Sequence, residues 1–333
     1  MAAAPEREAV PAGRAASLGT RSGAPLRRVR LGLDWSPNTT HVGLFVALQC
    51  GAFTRRGLDV ELVAPASLRA ANPGAGLLSG ELHAGLCPCD QLVSPDFRNS
   101  LLAVAVLIAQ DISAVVVREG SIGRPRELAG RRYASCGYPL EAATLNALIR
   151  ADGGSGCVVE VCPPMRTSTE AMLLDGLCDA AWQYLTWEVL RAQRAGVRVR
   201  AFRLADFGVA FGYMNSIAVT RALVDAEPGL VRLIVEAVAE GSSVAATDPD
   251  AAARLLYEGS GRHADLADLG LTAESVRQLA ALGALRGGGA ADPAVWAAFA
   301  GLLRGAGLAG PEAQAACAPG DRAVWTNRFV VGA

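Results

Sequence analysis

Short apolar blocks with a period of two or of 3.6 alternate along the first two-thirds of the chain, and longer helical repeats fill the last third. Residues 29–34 (VRLGLD) read as a strand, closed by the turn formers Ser36, Pro37 and Asn38. Residues 41–50 repeat at helical spacing, with Gly51 as a stop signal. Residues 58–63 (LDVELV) alternate as a strand, 72–79 as a helix and 81–86 as a strand, and 101–109 and 114–117 are buried strands. The same rhythm then recurs. Strands are predicted over 131–135, 158–161, 180–184 and 197–204, with helices over 140–150, 168–174 and 186–195. A strand over 215–220 (NSIAVT) leads into helices over 228–246, 251–257, 273–282 and 295–303. Two strand–helix units followed by a helical return predict an α/β fold with mostly parallel sheets and two lobes, the ligand lying at the carboxyl ends of the strands.

Composition narrows the chemistry. The 333 residues contain 31 Lys+Arg, and every one of them is arginine. A chain without lysine cannot anchor pyridoxal phosphate as a Schiff base, and it has no phosphate-loop lysine for an NTPase. Net charge −1 offers no basic footprint for nucleic acid. Eight scattered cysteines form no CxxC pair, and three histidines fall at no zinc spacing, so no metal site is expected. Cys87-Pro88-Cys89 is the one close cysteine pair, an incomplete site for a metal. Residues 1–28 are rich in Ala, Gly, Pro and Arg and lack an apolar h-region, so a disordered leader and a cytoplasmic protein are expected, with an organellar transit segment as the alternative. No apolar run is long enough to span a membrane.

The sharpest motif is Leu33-Asp34-Trp35-Ser36-Pro37-Asn38-Thr39-Thr40-His41, followed by Gly43-Leu44-Phe45-Val46-Ala47, then Gly51-Ala52-Phe53 and Gly57-Leu58-Asp59-Val60. This resembles the pattern DWxPNxxHxGxYVA…GxFxxxGLDV of the thiamine-pyrimidine synthase and sulfonate-binding-protein-like family, and within it the binding proteins for formylaminopyrimidine. Further stretches fit in order: Arg126–Arg132, Cys136–Glu141, Asp179–Glu188, Asp206–Val209 and Trp325–Phe329. The resemblance implies the type II periplasmic-binding-protein fold, with a ligand cleft between two lobes, over about residues 29–329. The lobes are expected at 29–113 plus 217–333, and at 114–216.

A flat aminopyrimidine calls for stacking partners and in-plane hydrogen bonds. Trp35 is either a cleft-facing ring or a core tryptophan. Asn38 is an in-plane hydrogen-bonding partner or a turn residue, and His41 is a ligand contact or a helix-start residue. Glu188 is a carboxylate for an amino-substituted ring or a solvated helix residue. Trp182, Tyr184 and Gln91 are further candidates. So is Tyr138, at a helix start where backbone N–H groups could receive an anion. Tyr213 and Asn215 lie at the predicted return between lobes.

The family's synthase members are understood to use a lysine that carries pyridoxal phosphate, a consumed histidine and a cysteine-rich run for iron. At the aligned positions stand Cys87, Gln91 and the cysteine-free run 206–216. The expected function is therefore binding of a thiamine-related aminopyrimidine by lobe closure, with no catalytic residue and no cofactor. Thiamine pyrimidine synthase, with pyridoxal phosphate and iron, is the first alternative. A receptor for another small ligand such as a sulfonate is the second, and the sequence leaves the oligomeric state open.

Overall fold

The structure is a computed structural model that describes residues 25–135, 140–162, 169–285, 288–308 and 310–330, with backbone alone for 169–171. It divides into two compact units. Unit 1 takes the described residues of 1–109, 213–291 and 319–333, and unit 2 those of 110–212 and 292–318. In chain order, unit 1 begins with β1 (Arg27–Gly32), α1 (Val42–Gln49), α2 (Ala52–Arg55), β2 (Leu58–Val63), α3 (Pro73–Leu78), β3 (Ala84–Cys87), α4 (Cys89–Val93) and β4 (Leu101–Val106). Unit 2 follows with β5 (Ser113–Arg118), β6 (Arg132–Ala134), α5 (Glu141–Ala151), β7 (Val159–Val161), α6 (Thr169–Leu174), β8 (Ala180–Tyr184), α7 (Glu188–Arg194) and β9 (Val199–Phe202). The chain returns to unit 1 with β10 (Ser216–Thr220), α8 (Arg221–Ala226), α9 (Pro228–Thr247), α10 (Pro249–Gly259) and α11 (Leu269–Ala281). It then gives α12 (Pro293–Gly305) and α13 (Pro311–Cys317) to unit 2 and ends in unit 1.

Each unit is built on a five-stranded mixed sheet, in the orders β2-β1-β3-β10-β4 and β7-β6-β8-β5-β9. As expected of mostly parallel sheets, four strands of each sheet share one direction, and a single strand runs against them. β10 runs antiparallel to both β3 and β4, and β5 antiparallel to both β8 and β9. Strand direction is a tertiary property: a strand that enters the sheet from the carboxyl end of its neighbours runs against them. Ser216, the first residue of β10, pairs with Cys87, the last of β3.

Local sequence explains most elements. Every residue of α1 except Gln49 is buried, as an all-round apolar helix requires. Gly51 follows it with φ 76°, the left-handed conformation that ends helices. The Asn72 side chain accepts from the Ala75 N–H (3.0 Å) and caps α3, with Pro73 in its first turn. β4 is buried at all six positions, so its apolar run carries no alternation.

Two boundaries differ from expectation. β1 starts at Arg27, inside the expected leader, because Arg27 and Arg28 pair with Leu58 and Asp59 of β2; residues 1–24 of that leader lie outside the described residues. Residues 292–318, expected in the first lobe, pack in unit 2. There Phe299 meets Phe211 with ring centroids 5.8 Å apart, and Trp296 packs on Phe299 at 6.3 Å. Burying these rings draws α12 across. No described helix is long and apolar enough to cross a membrane.

Candidate functional site

In unit 1, β1 and β3 end side by side and β10 begins beside them, so three loops meet at one edge of the sheet. They are 33–41, 87–94 and 213–216. In an open α/β sheet this is the edge where ligands bind.

Asp34 follows β1, and its side chain is 21% exposed. One carboxylate oxygen accepts from His41 Nε2 (2.8 Å) and the other from Asn215 Nδ2 (2.9 Å). His41 is fully buried, and its Nδ1 accepts the Asn38 backbone N–H at 3.3 Å. A ring nitrogen that accepts carries no proton, so the His41 proton sits on Nε2 and is donated to Asp34. Asn38 spends its own side chain locally. Its Oδ1 accepts from the Thr40 N–H (2.9 Å) and Thr40 Oγ1 (2.7 Å), and its Nδ2 donates to the Ser36 carbonyl (3.0 Å). Asn38 and His41 thus form a reciprocal capping box at the start of the Thr39–His41 turn. Their role in the structure is to hold the turn and aim Asp34.

Asn215 is 1% exposed, and its Oδ1 has no hydrogen-bond partner among the described residues. Neither has Gln91 Oε1, whose amide packs against Gly74, where a Cβ would stand 3.2 Å from Gln91 Cδ. Tyr213 is buried, and its carbonyl accepts the Cys89 N–H at the start of α4 (2.9 Å), which ties the loops together. Trp35, next to Asp34 in the chain, leaves 37% of its surface exposed. Burial, and next the charges of Asp34 and Asp90, push the Cys87 thiol far above its ordinary range, so it is a protonated, inert thiol. With Cys87 in that state and no lysine in the chain, the residues present do not fit a lysine-anchored pyridoxal phosphate. None of the three loops contains an arginine, although the chain has 31 Lys+Arg.

In unit 2 the corresponding edge carries the end of β8 and the start of β5, with Ser113 paired to Tyr184. The Glu188 carboxylate accepts the Tyr184 N–H (2.9 Å) at the start of α7. Trp182 Nε1 donates to Ser113 Oγ (2.8 Å), and Ser113 Oγ donates to Asp111 Oδ1 (2.6 Å). Buried Glu141 accepts from Tyr133 Oη (3.1 Å) and Ser135 Oγ (2.8 Å). Tyr138 lies outside the described residues.

The structure therefore gathers Trp35, His41, Gln91, Tyr213 and Asn215 in unit 1, and Trp182, Tyr184 and Glu188 in unit 2. Sequence reasoning omitted Asp34, Asp111, Ser113 and Glu141 from the candidate residues. Asp34 stood inside the quoted motif, whereas nothing in the local pattern pairs it with Asn215.

Comparison with known proteins gives the family and the fold. The family model described as NMT1/THI5 like matches residues 38–252, more than half of the chain. A formylaminopyrimidine-binding protein of Halalkalibacterium halodurans is 27% identical over 189 residues, which span 55% of this chain and 56% of that protein. A solved structure of a Bordetella bronchiseptica protein superposes with TM-score 0.67 at 18% identity, covering 91% of this chain and 95% of that one. The alkanesulfonate-binding protein SsuA of Xanthomonas axonopodis pv. citri, bound to MOPS, superposes with TM-score 0.60 at 15% identity, covering 86% and 95%. The fold is that of the type II periplasmic binding proteins.

Proposed function

We propose a function from one premise: the chain belongs to the NMT1/THI5-like family. On that premise it binds a thiamine-related aminopyrimidine, the ligand class named for the Halalkalibacterium halodurans relative. The observation that carries this proposal is the acceptor-rich edge of unit 1. Asp34 receives one donor on each carboxylate oxygen and retains lone-pair capacity, while Asn215 Oδ1 and Gln91 Oε1 are acceptors without donors among the described residues. An amino-substituted ring supplies N–H groups, and Trp35 supplies a face on which it stacks. In unit 2, Trp182, Tyr184 and Glu188 are proposed as further ligand contacts.

A sulfonate or another anion suits this edge poorly. It would face the Asp34 carboxylate with no arginine on the three loops. The synthase alternative loses its cofactor anchor with the missing lysine.

A thermal-shift panel tests the proposal. Formylaminopyrimidine and 4-amino-5-hydroxymethyl-2-methylpyrimidine should raise the melting temperature, and the same ring without its amino group should not. At a ligand concentration of 100 Kd the expected stabilisation is about 2.7 kcal/mol. A shift with alkanesulfonates and none with the aminopyrimidines would overturn it.

A further inference from the structure

Unit 2 contains a hydrogen-bonded chain that runs from a local turn at Asp111 to the indole of Trp182, 69 residues on from Ser113. Trp182 Nε1 donates to Ser113 Oγ at 2.8 Å, and Ser113 Oγ donates to Asp111 Oδ1 at 2.6 Å. The direction of both bonds follows from the groups themselves. An indole N–H only donates and an ionised carboxylate only accepts, so the single Ser113 proton must go to Asp111 and its lone pair must face the indole. The Ser113 backbone N–H also donates to Asp111 Oδ1 (2.9 Å), which locks the serine to the carboxylate independently of its hydroxyl. Phe211 packs against Trp182 with centroids 4.9 Å apart and planes at 82°. A tryptophan ring has two free torsions. Here the N–H bond and the aromatic neighbour oppose rotation about both.

We propose that Asp111 and Ser113 are positioning residues that set the plane of the Trp182 indole for stacking against the ligand. This rests on the assignment of Trp182 to the ligand site made above. The charged carboxylate strengthens the Ser113–Asp111 bond and polarises the hydroxyl as an acceptor for the indole N–H, so the indole is held before the ligand arrives and less ordering entropy is lost on binding.

The test follows the Trp182 indole N–H by two-dimensional ¹H–¹⁵N NMR, its signal assigned by its loss in Trp182→Phe. In the unaltered protein, formylaminopyrimidine should shift that signal. Ser113→Ala keeps the backbone N–H to Asp111 and removes only the hydroxyl. It should move the indole signal in the free protein and weaken formylaminopyrimidine about five- to tenfold, the worth of one hydrogen bond. Ser113→Thr, which restores the hydroxyl, should recover both the signal and the affinity. Asp111→Asn keeps an acceptor without the charge and should fall between the two. An indole signal that stays still on saturation with ligand would overturn the proposal. So would an affinity unchanged in Ser113→Ala despite a moved signal. Failure of the unaltered protein to bind any aminopyrimidine would instead remove the functional assignment on which the proposal stands.

Discussion

His41 is the residue whose replacement reports most directly on how the unit 1 edge is held. Its ring is fully buried and makes two bonds of opposite sense, accepting the Asn38 N–H on Nδ1 and donating to Asp34 from Nε2. His41→Ala removes both and leaves a void. The lost charge-assisted bond to Asp34 is worth about 1.5–3 kcal/mol, and a buried N–H left without a partner costs about 1–3 kcal/mol. The void adds roughly 1–2 kcal/mol, because a packed core relaxes only in part. Since the contributions overlap, the expected total is about 4 kcal/mol, against a typical stability of 5–15 kcal/mol. His41→Asn separates the parts. Its amide oxygen lies near the place of Nδ1 and can accept the Asn38 N–H, but it does not reach Asp34. It should recover about 1–2 kcal/mol of the loss. Urea unfolding followed by circular dichroism measures both variants. A loss below about 1 kcal/mol in His41→Ala, or no difference between Ala and Asn, would refute the reciprocal cap as the device that holds this turn.

Three further outcomes are expected. In Gly241→Ala the new Cβ would stand 2.2 Å from the Gly43 carbonyl oxygen and 2.6 Å from the Ala47 nitrogen, so α9 must move off α1 at a cost of about 2 kcal/mol or more, whereas Gly229→Ala, with open space around it, should gain roughly 0.5–1 kcal/mol in thermal unfolding. His83 Nδ1 accepts the Arg30 N–H, and burial, followed by the charge of Arg27, lowers its pKa, so the neutral ring is the form the fold favours. Stability from His83 is then fully present above the unfolded-state value of about 6.5 and is lost as pH falls below it; urea midpoints from pH 7.5 to 5 should drop more in the unaltered protein than in His83→Asn. Trp35→Ala should weaken aminopyrimidine binding by about five- to tenfold in calorimetry, with a stability loss well below that of His41→Ala, because the ring is 37% exposed.

Much of the fold was legible because local physics decided it. LDVELV alternates and is β2 at the residues expected, and Asn72-Pro73 announces α3 by its cap and its proline. Strand direction in β5 and β10 was hidden, since an apolar run reads the same both ways and only the path of the chain settles it. The membership of α12 was hidden likewise: Trp296 and Phe299 demanded burial, and Phe211, the ring Phe299 packs on, lies far away in sequence. At the site, the segment from Asp34 to His41 was recognised, but its internal division of labour was not. Asn38, read as either a ligand partner or a turn residue, spends its side-chain hydrogen bonds on its own turn. Asp34 acquires its meaning from Asn215, 181 residues on. Asp111 and Ser113 carried no signal beside the apolar strand that follows them.

The unit 1 edge is proposed to select an amino-substituted ring over an anion. Isothermal titration of the protein with formylaminopyrimidine and with an alkanesulfonate, repeated on Asp34→Ala, tests it most directly. Saturable binding of the pyrimidine alone, lost or weakened at least tenfold in the variant, is the predicted result. Binding of the alkanesulfonate without the pyrimidine, or pyrimidine binding indifferent to Asp34, would contradict it.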